Sequence, residues 1–119
     1  MDRTKPTSQM LGRFQPWHRG HTELFKRIHA ETGQVIIMIR DTFIDNDNPY
    51  PKLEVKEKIT STLINEGFTF CADFDIIVVP NITNIGYGRD VGYKFTQYDL
   101  GEDIHQISAT QLRNDASKS

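Results

Sequence analysis

Pro16 lies between two opposite periodicities, and no continuous element can run through it. Before it, Met10 and Leu11 read as a short buried strand. After it, Leu24, Phe25 and Ile28 recur at helical spacing. The stretch Gly12-Arg13-Phe14-Gln15-Pro16-Trp17-His18-Arg19-Gly20-His21 is therefore a strand-to-helix turn, with the helix beginning close to His18 or Arg19. Such a turn aims main-chain N–H groups and the positive end of the helix dipole at one point, which suits an anion. His18 and His21 fall on the same side of the first helical turn. Gly20 between them leaves room for a flat group to approach the backbone. The pattern points to a phosphate.

The rest of the chain supplies a scaffold for that turn. The first helix is predicted over 18–32 and stops at Gly33, a residue suited to the left-handed C′ position. Val35-Ile36-Ile37-Met38-Ile39 is a continuous apolar run, the mark of a strand covered on both faces. Strand, helix and strand at this spacing form a right-handed crossover with parallel strands. Residues 41–51 are rich in Asp, Asn and Pro and read as a loop. A second helix is predicted over 53–66, with Val55, Ile59 and Leu63 on its buried face and Gly67 closing it. Ile76-Ile77-Val78-Val79 is a further buried strand, ended by Pro80. Gly86, Gly88 and Gly92 mark a turn-rich connection, followed by a short strand over 104–107, a short helix over 110–115 and a polar tail over 116–119. The expected fold is α/β, a small Rossmann-like doubly wound parallel sheet occupying residues 1–119 as one domain.

Composition narrows the setting. A chain of 119 residues has enough length for one core and little for extra lobes. A formal net charge of −2 gives no electrostatic footprint for nucleic acid. Cys71 is the single cysteine, so no internal disulfide framework is available and a reducing compartment fits. No apolar run approaches the length of about 18 residues that a membrane helix needs. The first nine residues are polar and lack a signal-peptide apolar region, so a cytoplasmic protein is expected.

A second chemical motif lies near the end of the sequence, in Ile107-Ser108-Ala109-Thr110-Gln111-Leu112-Arg113. Ser108 suits an N-cap and Thr110 the first turn of the last helix. Arg113 can fold back and bind phosphate oxygens in a fork. In open parallel sheets such ligands lie beyond the C-terminal ends of the strands.

These stretches carry a resemblance. His18-Arg19-Gly20-His21 resembles the H-x-G-H signature of the nucleotidylyltransferases, a superfamily that includes class I tRNA synthetases and cytidylyl- and adenylyltransferases. Gly12-Arg13-Phe14-Gln15-Pro16 is similar to the start of the nicotinamide mononucleotide adenylyltransferase pattern, with Trp17 where Phe or Leu is usual. Ile107 to Arg113 resembles the I-S-x-T-x-x-R motif of the same family. Asn48-Pro49-Tyr50 with Glu54 resembles N-P-F-x-x-x-E-R, with Val55 in place of Arg, and Val79-Pro80-Asn81-Ile82 resembles V-P-D-I, with Asn for Asp.

The resemblance implies attack of a phosphorylated small-molecule acceptor on the α-phosphorus of a nucleoside triphosphate, with release of pyrophosphate. It implies catalytic roles for His18, His21 and Arg113, and nucleotide contacts from Gly12, Arg13, Phe14, Gly20, Ser108 and Thr110. The acceptor falls to the middle of the chain, to Arg40, Tyr50 and Asn81. Mg²⁺ is implied as the companion of the triphosphate, with no resident metal site, and so is a homo-oligomer. The Gly12 to Pro16 variant favours ATP; a CTP-dependent enzyme of the glycerol-3-phosphate type is the alternative, matched in compact length.

Competing readings are weighed residue by residue. Zinc needs three or four ligands, and His29 and His105 have no fixed relation to the His18–His21 pair. Arg40, at a strand end, is as well suited to a salt bridge as to a phosphate. Trp17 reads as a packing residue rather than a base-stacking one. Tyr87, Tyr93, Phe95 and Tyr98 suit either a substrate cover or a contact between copies. A non-catalytic nucleotide-binding module and a metal-dependent hydrolase remain as the other function classes.

Overall fold

Each pair of consecutive strands is separated by a helix long enough to return the chain to its starting end, so parallel pairing follows. The computed structural model describes residues 1–89 and 92–98. The element order is β1 (Ser8–Gly12), α1 (Arg19–Thr32), β2 (Val35–Arg40), α2 (Lys52–Asn65) and β3 (Phe74–Val79). The strands form one parallel sheet in the order β1-β2-β3. Met10, Ile37 and Ile76 share one row of the register, and Leu11, Met38 and Ile77 share the next. The α/β class and the open, Rossmann-like parallel sheet expected from the sequence are observed.

The two rows point to opposite faces. Met10, Val35, Ile37, Ile39, Phe74 and Ile76 are buried in one core with Phe25 and Ile28 of α1 and Val55, Ile59 and Leu63 of α2. The helices lie side by side on this face: Lys26 Nζ of α1 reaches Glu66 Oε2 just past α2 at 2.9 Å, and the Phe25 ring meets Phe68 edge-on at 4.9 Å. Two right-handed crossovers that step the same way across a sheet place both helices on one face.

The opposite face is less covered than the apolar runs suggest. Ile36 and Met38 are only half-buried and Ile77 is 41% exposed, while Val78, in register with Ile39 on the core side, is 47% exposed at the sheet's edge. The expectation of strands covered on both faces is thereby corrected. β3 is the edge of the described sheet, so its side chains lack a neighbour on one side.

The helix ends follow local chemistry. α1 stops at Gly33, which adopts φ +78° and donates its N–H to His29 O at 2.7 Å, as expected. α2 starts directly after Pro51 and is followed by Gly67 at φ +98°. The expected strand over 104–107, the helix over 110–115 and the polar tail lie outside the described residues, as do Ser108, Thr110 and Arg113. No helix of the described residues is long and apolar enough to cross a membrane.

Leu63 is fully buried, so Leu63→Ala is expected to cost about 2–5 kcal/mol of unfolding free energy. Ile77→Thr on the open face is expected to change it by roughly 0.5 kcal/mol or less. Denaturant unfolding of the two variants checks the assignment of the faces.

Candidate active site at the strand ends

β1 ends at Gly12, β2 at Arg40 and β3 at Val79, and because the strands are parallel the three following segments leave along one rim. That rim carries Arg13, Phe14, His18 and His21 from the first segment, Asn48 and Tyr50 from the second, and Asn81 from the third. The sequence-nominated residues within the described part of the chain thus gather at the end of the sheet where ligands of such folds bind.

The first turn is shaped by packing. A Cβ added at Gly12 would lie 2.8 Å from Phe14 Cε1, so only glycine lets that ring lie against the strand end. Phe14 itself adopts φ +54°, a conformation that side chains larger than glycine rarely take. Its buried ring contacts Trp17 at 5.0 Å and meets His21 edge-on at 5.1 Å. Trp17 is buried, and its Nε1 donates to Thr22 Oγ1 at 2.8 Å. Trp17 is a packing residue, as expected.

The two imidazoles form a reciprocal cap on α1. Gly20 N donates to His18 Nδ1 at 3.0 Å, and His18 N donates to His21 Nδ1 at 3.1 Å. The arrangement has the logic of a capping box, with histidines in place of the usual hydroxyl and carboxylate. The rings stack with centroids 3.9 Å apart. Because both Nδ1 atoms accept, the proton of each neutral ring sits on Nε2. The main-chain N–H groups of His18 and Gly20 are thus used by the rings, and the imidazole Nε2–H groups stand as further donors beside the turn.

Burial keeps these rings neutral. It lowers the His18 pKa from its ordinary value. Burial, reinforced by the neighbouring His18, pushes His21 down to about 3. The pair therefore offers hydrogen bonds near neutrality without carrying charge.

The cations stand beside them. Arg13 Nη1 donates to Asn48 Oδ1 at 3.3 Å. Asn48 is buried and is held by Asp45, whose Oδ1 accepts from Asn48 N at 2.8 Å and from Asn48 Nδ2 at 3.1 Å. Arg40 donates through Nε and Nη2 to Asn81 Oδ1 at 3.3 and 2.9 Å, so these two nominated residues are brought together. Its partner is neutral, and no carboxylate among the described residues lies within salt-bridge distance of Arg40. The salt-bridge reading of Arg40 thus gains no support.

Tyr50 enters the site through its backbone. Gln15 Nε2 donates to Tyr50 O at 2.9 Å, and Tyr50 N donates to Gln15 Oε1 at 2.8 Å. Sequence reasoning missed Gln15, since nothing in its own stretch shows a partner so far along the chain. His29 lies at the other end of the sheet, where its Nε2 is 2.9 Å from Asp73 Oδ1, and it takes no part in the cluster.

Residues 10–60 match the family described as Cytidylyltransferase-like, and the matched stretch runs from β1 through the capped turn, α1 and β2 into α2. Over this stretch the chain is similar to that family, in line with the H-x-G-H resemblance. Among curated proteins it is similar to nicotinamide-nucleotide adenylyltransferases. One from Methanococcus maripaludis is 29% identical over 84 residues, covering 64% of this chain and 49% of the relative. One from Thermoplasma acidophilum is 39% identical over 59 residues, covering 48% of this chain and 33% of the relative. The matches span half or less of those relatives' length.

The lowered histidine pKa values give a pH dependence with a definite sign. The unfolded chain binds protons on His18 and His21 below about pH 6.5, whereas the folded chain resists them. Their contribution to stability is full above that pH and is lost progressively as pH falls toward about 3, the value for His21. The His21 ring resonances are expected not to titrate between pH 5 and 8, which NMR checks directly.

Proposed function

We propose that this protein transfers a nucleoside monophosphate, AMP from ATP, onto a phosphorylated small-molecule acceptor and releases pyrophosphate. The observation that carries this reading is the reciprocal His18–His21 cap, which leaves two neutral Nε2–H donors at a helix start on the sheet's C-terminal rim. The similarity to nicotinamide-nucleotide adenylyltransferases supports ATP as donor and a mononucleotide as the first acceptor to try.

The chemistry asks little of a general base. An acceptor phosphate oxygen is already ionised near neutrality; it forms a bond to the α-phosphorus as the bond from that phosphorus to the bridging oxygen breaks, and pyrophosphate leaves with the electron pair. Positioning and charge stabilisation supply the acceleration. His18 and His21 donate to α- and β-phosphate oxygens as negative charge develops, and neutral donors do this without needing a proton from solvent. Arg13 contacts the nucleotide together with Gly12, Phe14 and Gly20, while Arg113, Ser108 and Thr110 hold the leaving pyrophosphate. Arg40 with Asn81, and the backbone around Tyr50, face the acceptor.

Mg²⁺ enters as part of the substrate. Triphosphate oxygens and water would carry the ion. A reducing compartment such as the cytoplasm suits the exposed, unpaired Cys71 thiol.

Pyrophosphate release, measured with ATP and with CTP against nicotinamide mononucleotide, glycerol 3-phosphate and other phosphorylated metabolites, tests the proposal. ATP with one phosphorylated acceptor is expected to give sustained release. His18→Ala and His21→Ala are each expected to lose on the order of a hundredfold or more in turnover, about 3 kcal/mol of transition-state stabilisation. Unchanged rates in both variants would remove the mechanism.

A further inference from the structure

The turn that carries the imidazoles is a short segment with one residue in a costly conformation, so something outside it must hold its shape. Two ties do so, and both run to the segment between β2 and α2. Arg13 reaches Asn48, and Gln15 pairs with both polar groups of the Tyr50 main chain. The second tie is the stronger. Gln15 is 3% exposed, and its amide donates and accepts at 2.9 and 2.8 Å across a sequence separation of 35 residues. A primary amide is the side chain that presents a donor and an acceptor side by side, as a peptide group does. Leaving either half unmatched in a buried place is costly. Tyr50 directly precedes Pro51, the N-cap of α2, so the pairing joins the starts of both helices.

We propose that Gln15 is the positioning residue of the phosphate turn: its two-point pairing with the Tyr50 backbone fixes the chain that delivers His18 and His21, so that both rings keep Nδ1 on a main-chain N–H and Nε2–H free for the triphosphate. The proposal rests on the triphosphate reading for its ligand, but not for its geometry. Gln15 need not touch substrate; it acts through the two imidazoles.

Two substitutions separate this role from bulk stability. Gln15→Met keeps the unbranched shape and removes both hydrogen bonds. Gln15→Glu keeps the length and the acceptor for Tyr50 N, and sets a carboxylate oxygen against Tyr50 O; it carries the test if the methionine variant fails to fold. Ile28→Val, a core change in α1, controls for lost stability alone. The first readout is the ring ¹⁵N correlation spectrum of His18 and His21, which reports the tautomer directly. The second is the affinity for ATP with Mg²⁺, followed by fluorescence of Trp17, the single tryptophan, whose ring lies 5.2 Å from His21.

Both Gln15 variants are expected to shift the His18 and His21 ring signals away from pure Nε2–H and to bind ATP about tenfold more weakly, equivalent to about 1.4 kcal/mol. Ile28→Val is expected to change neither. Ring signals identical to wild type in a folded Gln15 variant overturn the proposal. If the wild-type protein binds neither ATP nor CTP, the triphosphate reading fails instead, and the ring signals alone decide the role of Gln15.

Discussion

Parallel register is the constraint from which the rest follows. With Met10, Ile37 and Ile76 in one row, the strands end nearly level, and whatever follows each of them emerges on the same side. An antiparallel hairpin would have sent alternate loops to opposite ends. The core that enforces this register is small: three strand rows against one face of two helices, with aromatic packing through Phe25, Phe68 and Phe74. The sheet thus serves as a jig that holds three otherwise unrelated segments along one rim.

Within that jig, the electrostatics of the turn run through dipoles more than through charges. A protonated pair of rings stacked at 3.9 Å would repel in a partly desolvated place, and burial shifts both toward the neutral form. The positive charge is held by guanidinium groups at the margins. Arg13's hydrogen bond goes to the neutral amide of Asn48, with the Asp45 carboxylate behind it close enough to feel the guanidinium's charge; Arg40 likewise meets the amide of Asn81. Gripping Arg40 with a neutral acceptor orients it without cancelling its charge.

Much of this was legible in the sequence because it is local. Gly33 announces the end of α1 through the left-handed conformation that only glycine takes cheaply, and Pro16 announces that β1 cannot pass directly into a helix. The spacing of Val55, Ile59 and Leu63 shows the buried side of α2. What the sequence withholds is pairing across distance. Nothing near Gln15 reveals Tyr50 as its partner, and nothing in the Asp- and Asn-rich loop shows that Asn48 is buried while Asp47 is exposed. The run Ile76 to Val79 reports that a strand is apolar, not whether a neighbour covers it, so the exposure of Ile77 and Val78 does not follow from it. The histidine spacing correctly placed both rings on one side, yet it could not tell which ring nitrogen the helix would claim.

That last detail has a consequence for how the turn can be altered. The nitrogen that starts the helix and the nitrogen the proposed chemistry would use belong to the same ring but are different atoms, so architecture and chemistry are separable there by side-chain choice. An aspartate or serine at position 18 would still accept from Gly20 N and open the helix, while offering no imidazole to an oxyanion. Such a chain would keep the shape of the turn as an inert replica, and under the proposed function it would hold a nucleotide without consuming it.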